Sequence, residues 1–128
     1  MKKALSWAAA AALLTAALFA QKPGISRTIL QRQDISIPGH EAVVARVVIA
    51  PNAFAGRHTH PGEEISYILE GEGEILIQGR PPLKVKAGDS FIIPAGAIHD
   101  AHNTSSKPLR LVGVYVVDKS KPMSTPAP

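Results

Sequence analysis

The sequence predicts an all-β domain, a small sandwich or barrel, on three observations. Seven short runs rich in β-branched and aliphatic residues recur along it, glycine and proline stand between them, and no stretch beyond residue 20 repeats apolar residues at helical spacing over three turns. Length adds the bound: 128 residues hold one core and one domain.

The first element precedes that domain. Residues 1–20, MKKALSWAAAAALLTAALFA, place two lysines before an unbroken apolar stretch ending in small residues, the layout of a secretory signal peptide. Cleavage after Ala20 satisfies the small-residue rule at the last position, although Leu18 is larger than usual for its place. An uncleaved anchor is the alternative, because Ala4 to Ala20 is only slightly shorter than the roughly 20 residues of a spanning helix. Alanine drives insertion weakly, however, and Gln21, Lys22, Pro23 and Gly24 follow at once. Lys2 and Lys3 are not a twin-arginine pair, so the expectation is general secretory export to the periplasm or the exterior, with no stable membrane association after cleavage. The chain has no cysteine, hence no lipid-attachment thiol and no disulfide.

Residues 21–27 read as a lead-in, marked by Pro23 and Gly24. The β domain follows over 28–117, through TILQRQ (28–33), AVVARVVIA (42–50), EISYILEG (64–71), EILIQG (74–79), LKVK (83–86), SFIIP (90–94) and LRLVGVYVV (109–117). Residues 118–128, DKSKPMSTPAP, carry too little apolar surface to order themselves and read as a disordered tail.

Charge excludes one class of partner. Loss of Lys2 and Lys3 leaves twelve basic against ten acidic residues, a formal +2, with no Lys/Arg stripe and no interleaved aromatics. Nucleic-acid binding is therefore not expected.

The chemistry concentrates in GRHTHPGEEISYILEGEG (56–73). Side chains of equal parity share a strand face, so His58 and His60 point the same way, about 7 Å apart along the strand, and can converge on one ion. Pro61 and Gly62 supply a turn, after which Glu64, Ser66 and Ile68 share one face and Ile65, Tyr67 and Leu69 the other. A turn that returns the chain alongside itself brings Glu64 beside the two histidines. In GDSFIIPAGAIHDAHN (88–103), Pro94 and Gly96 break a strand, and His99 follows on a segment able to run antiparallel toward the first cluster.

These two stretches resemble the paired motifs of the cupin superfamily. His58, His60, Glu64 and Gly71 fall at the spacing of the first, and Gly88, Pro94, Gly96, His99 and Asn103 match the second. Asn52 stands where the first motif usually begins with glycine; asparagine tolerates positive φ, so the turn is expected to be kept. The resemblance implies a single-domain jelly-roll barrel of two antiparallel sheets, with a divalent metal held inside by His58, His60, Glu64 and His99. Three neutral imidazoles and one carboxylate leave such a site at net +1, and six-coordinate geometry keeps two adjacent positions open. Some cupins hold no metal, but burying this set with no ion to organise it is costly. Affinity order favours copper and zinc, whereas the oxygen ligand and open octahedral geometry suit manganese, iron or nickel, so the metal is left open among these.

Among the remaining residues, Ser66 and Ile68 are expected to line the pocket. His40, His102, Glu63, Glu70 and Glu72 are expected to face solvent. The inward face shows no further acid or base. Ile65, Tyr67 and Leu69 make the outer face of their strand apolar, which calls for a cover: the N-terminal GISRTIL or a second subunit, hence a homodimer. Two functional classes follow from the resemblance. One is a metal-dependent dioxygenase, isomerase or lyase acting on a small organic molecule, with Glu64 as base; the other is a non-catalytic module that binds a small ligand or the metal itself.

Overall fold

The computed structural model describes residues 23–128, so the predicted signal peptide over 1–20 lies outside the described residues. Ten strands follow in order: β1 (Ile25–Asp34), β2 (His40–Ile49), β3 (His58–Thr59), β4 (Gly62–Glu70), β5 (Glu72–Ile77), β6 (Leu83–Lys86), β7 (Ser90–Ile93), β8 (His99–His102), β9 (Leu109–Asp118) and β10 (Thr125–Pro126). They form two five-stranded antiparallel sheets, ordered β1-β2-β9-β4-β7 and β10-β3-β8-β5-β6, and no helix occurs among the described residues. The fold class read from the sequence is therefore the observed one.

Alternation builds the core. Along β9, Leu109, Leu111, Tyr115 and Val117 are buried while their neighbours are half-buried, and along β2 Val43, Ala45, Val47 and Ile49 are buried while their neighbours are half-buried or, at Arg46, exposed. Their registers agree, with Val43 opposite Tyr115 and Val47 opposite Leu111, so both rows face one interior. Ile75, Val85, Phe91 and Ile93 close it. Each large aliphatic buried in this way contributes about 1.5–3 kcal/mol.

Four features differ from the sequence expectations. β1 begins at Ile25, inside the expected lead-in, because Ile25 is buried opposite Ile49 and the pairing with β2 continues to Asp34 through one irregularity at Ile29/Gln31. The tail is ordered: Thr125 and Pro126 pair with Thr59 and His58, the Ala127 amide donates to the Arg57 carbonyl at 3.0 Å, and Met123 packs on the Val43/Ala45/Tyr115/Val117 cluster. A segment too polar for its own core gains order here from a strand edge and a ready-made apolar surface, and a two-residue edge strand tolerates its proline.

Pro61 and Gly62 do not fold the chain back on itself but carry it from one sheet to the other, since β3 pairs with β8 and β10 while β4 pairs with β7 and β9. Gly62 is needed for close approach: a Cβ there would lie 1.8 Å from the Val116 carbonyl oxygen. Finally, two strands, β2 and β9, lie between β1 and β4 in their sheet, so the N-terminal segment does not cover Ile65, Tyr67 and Leu69. These three and Ile92, which pairs with Ile65, stay exposed on the outer face of β4 and β7.

Candidate metal centre

Three strands and one loop bring the predicted residues together. His58 stands on β3 directly opposite His99 on β8, His60 follows β3 just before the sheet crossing, and Glu64 enters from β4. One donor atom from each of His58, His60, Glu64 and His99 lies within 4.8 Å of the others, and all four side chains are buried. Asn52, at the start of the first motif, has φ of 58°, so the turn normally made by glycine is kept.

Backbone carbonyls orient the rings. His58 Nδ1 is 2.6 Å from the Gly56 carbonyl oxygen, His60 Nδ1 is 2.6 Å from that of Met123, and His99 Nδ1 is 2.9 Å from that of Ala97. A carbonyl only accepts, so each Nδ1 carries the proton and each neutral ring turns a bare Nε2 inward. His58 Nε2 and His60 Nε2 are 3.1 Å apart, while the Nε2 atoms of His60 and His99 each lie 3.2 Å from Glu64 Oε2. Ser66 Oγ donates to Glu64 Oε1 at 2.7 Å, which occupies that oxygen and leaves Oε2 to the cluster. Three lone pairs and a carboxylate oxygen pointed at one another repel unless a cation sits among them. The donor set thus fits a divalent ion, with outer-shell contacts of the kind that fix metal-ligating histidines.

Burial pushes the His58 imidazole down to about 4; the Gly56 carbonyl works against this, while the nearby His99, His60 and Arg27 reinforce it. His58 is therefore neutral at physiological pH, as a metal ligand must be. For Glu64, burial opposes ionisation, but hydrogen bonds from Ser66 and, in the metal-free site when Nε2 carries a proton, from His60 and His99 outweigh it and hold the carboxyl well below its ordinary range.

The structure adds residues that sequence reading missed. Tyr115 is buried edge-on to His60, with ring centroids 4.8 Å apart, and Arg27 lines the same cavity with His58, Glu64 and His99. The inward face thus carries two further polar groups, contrary to expectation. Tyr115 was legible in the alternation of 109–117, where it shares parity with Leu109 and Leu111. Arg27 was not, because the first strand was expected to start one residue after it. Asp100, also buried, accepts from the Gly56 amide at 2.9 Å and so steadies the loop whose carbonyl orients His58.

Ser66 and Ile68 are buried on the inward face of β4, and Ser66 touches the site directly. His102 turns away from the cluster and stacks on Phe54 at 3.9 Å. The His40 ring, through Nδ1, lies 2.9 Å from the nearby Pro38 carbonyl oxygen, away from the cluster.

Comparison with known proteins agrees with this geometry. The cupin domain family model matches residues 45–116, more than half of the chain, and the chain belongs to that family. It is 39% identical over 69 residues to dimethylsulfoniopropionate lyase DddQ of Ruegeria pomeroyi, covering 53% of this chain and 34% of the lyase. It is 36% identical over 74 residues to an oxalate-binding protein of Thermotoga maritima, covering 57% of this chain and 60% of that protein. The chain thus spans between a third and three fifths of the length of these relatives. A double-stranded β-helix protein from Klebsiella pneumoniae superposes with a TM-score of 0.69 at 21% identity, over 84% of this chain and 87% of its own, a likeness of fold.

Two outcomes follow. His58 takes its proton near pH 6.5 when unfolded but near 4 when folded, so the stability it contributes is complete above 6.5 and lost as pH falls through 4. Glu64, also lowered, adds a loss of the same sign below its unfolded value of 4.5. The melting temperature of metal-free protein should fall by about 5–10 °C between pH 7 and 4, and His58→Asn should flatten the upper part of that profile. Truncation after Ser120 removes the Met123 carbonyl from His60 and should weaken metal affinity about 10–100-fold, measured by competition with a chelator.

Proposed function

We propose that this chain is an exported, metal-dependent cupin that acts on a small organic molecule at a divalent ion held by His58, His60, Glu64 and His99. The observation that carries the reading is the set of three inward Nε2 atoms around Glu64 Oε2, each ring oriented by a backbone carbonyl. When bound, the ion supplies Lewis acidity and, for a redox-active metal, dioxygenase-like chemistry at its open positions. The chain's own residues do the rest. Burial of the cluster excludes bulk water and strengthens each polar contact there. Ser66 holds one oxygen of Glu64, and the depressed basicity of that carboxyl makes it a ligand better than a base at neutral pH. The relatives with printed activities or ligands, a lyase, an oxalate-binding protein and an acireductone dioxygenase of Rhodopseudomonas palustris, support small-molecule chemistry without selecting one reaction.

A cavity of only about 20 Å³ lies beside the cluster, room for about one water. It favours a ligand of few atoms, and it equally suits the second reading, a module that binds such a ligand without turning it over. The exposed apolar face of Ile65, Tyr67, Leu69 and Ile92 supports a homodimer as part of the proposal.

The test uses protein purified from its native compartment, with metal content measured directly. One equivalent of a divalent metal is expected, lost in His99→Ala and kept in His102→Ala. Across a panel of β-diketones, catechols and the larger flavonols, oxygen uptake or product formation should follow the same pattern and be confined to the smallest members; ligand binding without product would select the module. The N-terminus and the solution mass of the same sample check export and dimerisation: an intact Met1 or a monomeric mass removes the corresponding part.

A further inference from the structure

The cavity beside the cluster holds an arginine without an acid. Arg27 stands on β1 opposite the inward-facing Val47, with the same parity as the buried Ile25, so it projects into the barrel. There it shares a lining with His58, Glu64, His99 and Tyr115, and the rest of that wall is mainly aliphatic or aromatic: Val47, Ile75, Phe91 and Leu111 among others. Among the described residues, its Nε is the buried side-chain nitrogen or oxygen that lacks any hydrogen-bond partner, and it takes part in none of the ion pairs. An enclosed guanidinium donor left unmatched costs about 1–3 kcal/mol or more, and natural interiors retain such groups where something else completes them.

Its placement points at the site. Arg27, Tyr115 and His58 line the same small cavity. The Tyr115 hydroxyl is itself located by a glycine: a Cβ at Gly113 would come within 2.7 Å of Tyr115 Oη, so the ring lies over a position with no side chain. Arginine and tyrosine thus both border the space beside the donor cluster.

Charge counting then defines what is missing. With a divalent ion, three neutral imidazoles and ionised Glu64, the cluster carries +1, and Arg27 raises the interior to +2. Asp100 lines the same cavity, its Oδ1 accepting from the amides of Gly56 and Ala101, and its carboxylate brings the formal total back to +1. A net positive, largely apolar enclosure favours an anion, and the planar guanidinium fork matches a carboxylate.

We infer that the ligand of this cupin is a small carboxylate-bearing anion, its carboxylate held by Arg27 and the Tyr115 hydroxyl and its other oxygen functions directed at the His58/His60/Glu64/His99 cluster. The inference rests on the metal reading above and adds the substrate class and the residue that selects it. The space beside the cluster holds about one water as it stands, so the lining side chains must shift to admit an acid, which limits the class to acids of a few carbon atoms, such as short dicarboxylates or 2-oxo acids.

Calorimetric titration of the full chain loaded with zinc, which is redox-inert, separates binding from turnover. Malonate and pyruvate serve as probes, with their neutral amides as controls, and the zinc content of every sample is measured. Wild type should bind the acids at least tenfold more tightly than the amides. Arg27→Met should cut acid affinity tenfold or more with zinc content unchanged, Arg27→Lys should restore part of it, and amide affinity should stay constant across the three proteins. If Arg27→Met does not fold, Arg27→Lys and the wild-type acid-to-amide ratio still decide. A zinc-loaded wild type indifferent to charge, or acid affinity unchanged in both variants, overturns this inference alone. A wild type that takes up no zinc overturns the metal reading and this inference with it.

Discussion

Three backbone carbonyls, those of Gly56, Met123 and Ala97, each claim the Nδ1 proton of a buried histidine, and the chemistry of the barrel depends on that claim. A neutral imidazole has one proton to give. Once Nδ1 has donated it, Nε2 is left as a lone pair, and strand geometry turns all three lone pairs toward Glu64. Nothing in the four side chains stabilises that arrangement internally. It is a site built for a cation and held open by main chain, which side-chain substitution elsewhere cannot easily disturb.

The three carbonyls come from separate parts of the fold, so the centre also ties the barrel together. Gly56 is steadied by Asp100 of β8, and Ala97 belongs to the loop whose Gly96 amide donates to the His60 carbonyl. Met123 belongs to the C-terminal segment, which pairs with β3 and seats its side chain against Val43, Ala45, Tyr115 and Val117. The tail is consequently part of the centre's outer shell. Gly62 has an equivalent structural duty on the opposite side, letting the chain cross between sheets so that Glu64 faces histidines on the other sheet.

The interior is divided by polarity. Aliphatic residues of β2, β5, β7 and β9 fill most of it, and the polar cluster occupies a small remaining space with Arg27 and Tyr115 at its margin. Cupin barrels share the first arrangement and carry many different activities, so the residues at the margin are where specificity is decided. Here that margin is cationic and phenolic, and its narrowness limits what can enter.

Alternation by itself determined the all-β class, the inward parity of His58, Ser66 and Ile68, and the outward turn of His102, because strand periodicity is a local property. Motif spacing likewise marked the four residues that converge, and Asn52 kept its turn through a conformational preference of its own side chain. Tertiary structure decided the rest. Whether the polar tail orders depends on an edge and an apolar surface supplied by strands far away in sequence, and whether Arg27 enters the barrel depends on how far pairing with β2 extends. The same holds for the crossing at Gly62, which answers to a carbonyl at Val116. Contacts between distant segments are set by what each finds opposite it, and no local pattern carries that information.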